Sequence, residues 1–134
     1  MEDARARSIA VTGAASGLGR AIVARLRSSG VTAIGIDLRD ADISADLGRA
    51  SGRREAVDAI LERCDRHLDA VVTAAGVGPY REPGLVTAVN YFGTVELLDA
   101  LFPCLQRGSD PAALAVSSIG AFFGENVSRE LVAA

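Results

Sequence analysis

The sequence predicts an α/β fold: a doubly wound parallel sheet with helices on both faces. Three observations carry this expectation. Short apolar runs alternate with helical patterns along the 134 residues. The runs are apolar throughout, as strands buried on both faces are, and lack the in-and-out alternation of a strand with one wet face. Single helices separate successive runs, which is the order of βαβ units. The length suits one domain. A hydrophobic fraction of 49% and a mean hydropathy of +0.26 suit a buried core.

Residues 8–12 read as the first strand. Residues 17–29 read as a helix with Leu18, Ile22, Val23 and Leu26 on one stripe. A second strand spans 32–36 and is ended by Asp37. Residues 43–47 hold a short third strand. A helix over 52–66 has Ala56, Val57, Ile60, Leu61 and Cys64 on its apolar side, and Arg53-Arg54 at its solvated start. Residues 69–73 form a strand running into Ala74-Ala75-Gly76. A long helix covers 85–106, with Phe92 and Phe102 packed, and a last strand covers 112–117. Residues 119–124, including Phe122 and Phe123, are apolar without a clear period. Residues 125–134 suit a helical turn or two.

Composition excludes several functions. A net charge of −3 and a pI near 5.1 oppose nucleic-acid binding, which needs a basic face. No uncharged run approaches the ~20 apolar residues of a membrane span. The first residues carry acids and no apolar segment, so no signal peptide is expected and the location is cytoplasmic. Cys64 and Cys104 have no C-x-x-C spacing, so neither a disulfide framework nor a metal site is indicated. All 14 basic residues are arginine; the chain has no lysine.

Thr12-Gly13-Ala14-Ala15-Ser16-Gly17-Leu18-Gly19 joins the first strand to the first helix. Gly13 permits a tight turn there. Gly17 and Gly19 let backbone approach a pyrophosphate and the neighbouring strand. The free N–H groups of the helix start then face the phosphates. Packing alone is the other use of such a turn. Asp37 follows Gly19 by 18 residues, near the ~20-residue offset of a ribose-binding acid. A carboxylate there accepts from ribose hydroxyls and repels a 2′-phosphate, favouring NAD over NADP. The alternative for Asp37 is a solvated strand end. Asn90 shares a helical stripe with Val86, Gly93 and Leu97, so a buried amide with hydrogen-bond partners is expected. Ser118 lies past a strand's carboxyl end, where ligands of open α/β sheets sit; a strand cap is its other reading.

Thr12-Gly13-x-x-x-Gly17-x-Gly19 resembles the cofactor loop of the short-chain dehydrogenase/reductase family, and the likeness continues through the chain. Asp46-Leu47 resembles the family's adenine-contacting pair. Ala74-Ala75-Gly76 resembles its Asn-Ala-Gly turn, with Ala74 in place of Asn. Residues 89–94 resemble its long-helix motif, and 116–120 its active-site serine strand. The resemblance implies a Rossmann-like sheet of about five strands in the order 3-2-1-4-5, with the C-terminal strands missing. It implies NAD held by Gly13, Ala15, Ser16, Gly17, Leu18 and Gly19, by Asp37 and Leu38, by Asp46 and Leu47, and by Ala74, Ala75 and Gly76. It implies catalytic roles for Ser118, which would bond the substrate oxygen, and for Asn90, at a backbone kink with a water site. Ser117 is the lesser choice of serine.

The family's Tyr-x-x-x-Lys acid/base pair has no match, because Tyr80 is followed at that spacing by Gly84 and Tyr91 by Val95. The expectation is an N-terminal half of an oxidoreductase acting on a small ketone or secondary alcohol, inactive alone. It would form homo-oligomers through the long helix and bind neither nucleic acid nor membrane. The competing expectation is a non-catalytic NAD-binding or interaction module completed by a partner.

Overall fold

The computed structural model describes residues 6–108 and 110–118. Its strands are β1 (Ser8–Thr12), β2 (Thr32–Asp37), β3 (Ile43–Ser44), β4 (Ala70–Thr73) and β5 (Ala112–Ala115). Its helices are α1 (Gly17–Ser28), α2 (Ala50–Arg63), α3 (Pro83–Thr87) and α4 (Gly93–Leu105), with a π-helical turn over Ala88–Phe92 joining the last two. All pairings are parallel, in the order β3-β2-β1-β4-β5. The predicted fold class and strand order are those observed. The expectations for 119–124 and 125–134 fall outside the described residues.

Two apolar clusters sandwich the central strands, as uniformly apolar runs require. On one face Ala10, Ile36 and Val71 pack with Ile60 of α2 and Leu97 and Leu101 of α4. On the other, Val11, Ala33 and Val72 pack with Val23 of α1. β5 departs from this pattern, because all four of its residues are exposed and Leu114 is 56% exposed. No described helix covers its outer side. Phe92 and Phe102, expected to pack, are also exposed.

Boundaries differ from the sequence reading for local reasons. α2 ends at Arg63 because Asp65 and Arg66 adopt φ of 48° and 55°, a left-handed pair reached without glycine. α3 starts early because Glu82 caps it: its carboxylate accepts from the N–H groups of Gly84 and Leu85 at 2.8 and 2.9 Å. Pro83 then occupies the first helical position, where its missing N–H costs nothing. The continuous helix Pro83–Leu105, 23 residues with an 18-residue window of mean hydropathy 1.3, is long and apolar enough to cross a bilayer. Here its α4 part lies on the sheet and on α2 through Leu97, Leu101 and Leu105.

Arg53 is buried, against the expectation of a solvated helix start. Its guanidinium bonds both Glu96 oxygens at 2.6 and 3.1 Å and donates to the Leu47 carbonyl at 3.0 Å. One side chain thus ties α2, α4 and the segment after β3. Replacing Arg53 with Met keeps the stem but strands these acceptors, at a cost of ~1–3 kcal/mol. Urea denaturation should show the loss; an unchanged midpoint would contradict the tie.

The Arg53 hydrogen bond holds the Glu96 carboxyl below its ordinary range, and the Gly84 and Leu85 N–H groups do the same for Glu82. Folded values below unfolded ones mean that the unfolded chain binds protons more readily. This stabilisation is complete above the ordinary carboxylate value of about 4.3 and disappears as pH falls through the folded values. Thermal melts should weaken on acidification, and Glu96→Gln should flatten that decline.

Candidate functional site

The carboxyl ends of β1 and β4 meet at a turn fixed by one hydroxyl. Thr12 Oγ1, buried, accepts from the Ala74 and Ala75 N–H groups at 3.1 and 3.0 Å. Those amides need an acceptor where the chain leaves β4, and Thr12 provides one oxygen for both. Gly13 follows with φ +72°, and a Cβ there would sit 2.9 Å from the Ala74 carbonyl. Gly19 packs its Cα on the Gly13 carbonyl, leaving no room for a side chain. Gly17 has φ +50° and open space where its Cβ would be. Two glycines therefore weld the loop together, and the third opens a path to the helix start. No side chain caps α1 at Ser16. Its first N–H groups are available to an anion, aided by the helix dipole.

Asp37 closes the loop from the second strand. Its Oδ2 accepts from Ala15 N–H at 2.9 Å and its Oδ1 from Leu38 N–H at 2.7 Å. Each carboxylate oxygen keeps a further lone pair for a hydroxyl. Asp46 Oδ1 accepts from Gly48 N–H at 2.9 Å. That bond turns the chain so that Gly48 abuts Leu85 and Val89.

These elements surround a cleft of about 440 Å³. Every residue expected to hold the cofactor lines it except Ala15, whose N–H is taken by Asp37 and which borders a neighbouring hollow. Its walls are glycine backbone at one end and apolar side chains at the other, which fits a dinucleotide with a flat base and a charged middle. Sequence reasoning missed Ala45, Val77, Arg81, Leu85 and Val89, which also line it. The last three lie on or just before the helix built on the Glu82 cap.

Asn90 and Ser118 stand outside the cleft lining. Asn90 is in the π-helical turn, where the regular α-helical ladder is interrupted. Its amide is exposed, correcting the expectation of burial. It is nonetheless occupied: Oδ1 accepts from Val77 N–H at 2.8 Å and Nδ2 donates to the Val77 carbonyl at 3.0 Å. Ser118 lies beyond the end of β5 and is exposed. β5 reaches that point because Val116 N–H bonds the Thr73 carbonyl at 3.0 Å. Tyr80 and Tyr91 are exposed. Among the described residues no cluster of His, Cys, Asp and Glu could hold a metal.

The profile of the short chain dehydrogenase family matches residues 7–129. The 3-alpha-hydroxysteroid dehydrogenase/carbonyl reductase of Comamonas testosteroni is 43% identical over 112 residues, 83% of this chain and 44% of that protein. The coniferyl-alcohol dehydrogenase of Pseudomonas sp. is 35% identical, over 76% of this chain and 41% of that protein. Among solved structures, a 3-alpha-hydroxysteroid dehydrogenase from Pseudomonas sp. B-0831, complexed with NADH, superposes with a TM-score of 0.84. It is 52% identical, over 86% of this chain and 46% of that one. The chain spans about half the length of the relatives it matches.

Removing the Thr12 hydroxyl strands two N–H groups at the centre of the site. Thr12→Val should destabilise the fold by ~1–3 kcal/mol, and Thr12→Ser should recover most of it. Calorimetric melting of both variants checks this. Equal melting of Thr12→Val and wild type would refute the role given to Thr12.

Proposed function

The chain belongs to the short-chain dehydrogenase family, and we propose that it forms the NAD-binding half of an oxidoreductase acting on a small ketone or secondary alcohol. The observation that carries this reading is the coincidence of the glycine-lined cleft with Asp37 at its end. The α1 start receives the pyrophosphate on its N–H groups. Asp37 accepts from the adenosine ribose, and Asp46 and Leu47 flank the adenine. When bound, NAD would supply the hydride acceptor or donor for the substrate carbon. Ser118 bonds the substrate oxygen, and Asn90 holds Val77 and the π-helical turn beside it. A hydroxysteroid is one candidate substrate, because two of the similar proteins bear that name.

The proton at the substrate oxygen needs an acid/base group that this chain lacks, since no lysine is present to depress a tyrosine's pKa. The chain alone therefore binds cofactor without turning over. The exposed β5 supports a second reading, a non-catalytic NAD-binding or interaction module completed by a partner. Self-association through the long helix fits exposed Phe92 and Phe102. A cytoplasmic location fits two free thiols.

Asp37 sets the cofactor choice: a 2′-phosphate brought to a carboxylate whose two oxygens already accept from backbone is repelled. Isothermal titration should give NAD an affinity about tenfold or more above that of NADP, a gap of ~1.4 kcal/mol, which Asp37→Ala narrows. Equal affinities for the wild type would contradict the ribose-acid role.

A further inference from the structure

Without a cation, the N–H dipoles at the α1 start would alone face the charge of a bound pyrophosphate. We propose that Arg81 is a phosphate-binding residue that grips the dinucleotide's pyrophosphate from the β4–α3 side of the cleft; the proposal rests on the NAD-binding reading. Three charged residues line the cleft among those described: Asp37, Asp46 and Arg81. Both acids are committed to backbone N–H groups. Arg81 is the one cation. Its guanidinium makes no hydrogen bond or ion pair with any described residue, and the residue is exposed and lines the cleft. Its acidic neighbour Glu82 does not neutralise it, because both Glu82 oxygens cap α3.

The backbone that carries Arg81 is held at both ends. Asn90 pins Val77 through its N–H and its carbonyl. Arg81 N–H then bonds the Gly78 carbonyl at 3.2 Å, closing a turn, and the Glu82 cap begins immediately after. A short anchored turn thus places an arginine in the wall of a cleft that otherwise carries two carboxylates. Its planar fork matches phosphate oxygens bidentately. Such a group offsets the repulsion that Asp37 and Asp46 exert on a dianionic ligand. It also gives Asn90 a role in cofactor binding, as the brace of the turn that presents Arg81. In a chain with no lysine, arginine must supply any such cation.

Equilibrium dialysis of the full chain and of Arg81→Ala and Arg81→Lys, with NAD, ADP and adenosine at low and physiological salt, tests this. Arg81→Ala should weaken NAD and ADP about fivefold each, as loss of a solvent-exposed ion pair does. It should leave adenosine unchanged and reduce the salt dependence of NAD binding. Arg81→Lys should recover part of the loss. NAD affinity equal to wild type in Arg81→Ala overturns the proposal and spares the cofactor reading. An equal loss for adenosine also overturns it, by placing Arg81 on the base. A wild type that binds none of the three overturns both.

Discussion

One hydroxyl holds the site together. Thr12 ends β1 and accepts from two consecutive N–H groups just past β4, so the carboxyl ends of adjacent strands cannot separate. Gly13 then lies on the Ala74–Ala75 backbone, and Gly19 lies on Gly13. Each contact is too close for a side chain. The position of the α1 start relative to the sheet follows from these three contacts in series. Open space remains at Gly17, which has no neighbour within 4 Å of where its Cβ would point.

Polar side chains brace the rest of the cleft against backbone. Asp37 holds Ala15 and Leu38, Asp46 holds Gly48, Asn90 holds Val77, and Arg53 holds the Leu47 carbonyl. Each satisfies donors or acceptors that loops leave without ladder partners. Preorganisation of this kind lowers the ordering cost of binding. The same braces leave Arg81 as the uncommitted charge among the described residues that line the cleft, and so connect the fold's hydrogen bonding to the ligand it suits.

The sheet was legible because its signal is local and strong. Runs apolar on both faces, spaced by single helices, admit few topologies, and the glycine loop and Asp37 mark one end of the cleft. Other features depend on contacts that spacing does not carry. Arg53 looked like a solvated helix start, yet Glu96, far along the chain, buries it. The end of α2 is made by Asp65 and Arg66 in a conformation usually signalled by glycine. The start of α3 depends on glutamate as a cap, a residue seldom chosen for it. Arg81 was missed because its place in the cleft follows from that cap and from the Asn90 bonds to Val77. Asn90 was read correctly as hydrogen-bonded and incorrectly as buried, since helical phase alone does not say what lies over the stripe.

The glycine loop fixed by Thr12 is proposed as a dinucleotide cradle. Titrating NAD into isotopically labelled protein and following backbone amide resonances tests it most directly. Saturable shifts should be largest for Gly17, Leu18 and Gly19, with a second group at Gly76 and Val77 and little change in β5. Saturable shifts centred elsewhere, or none at the α1 start, would contradict the account.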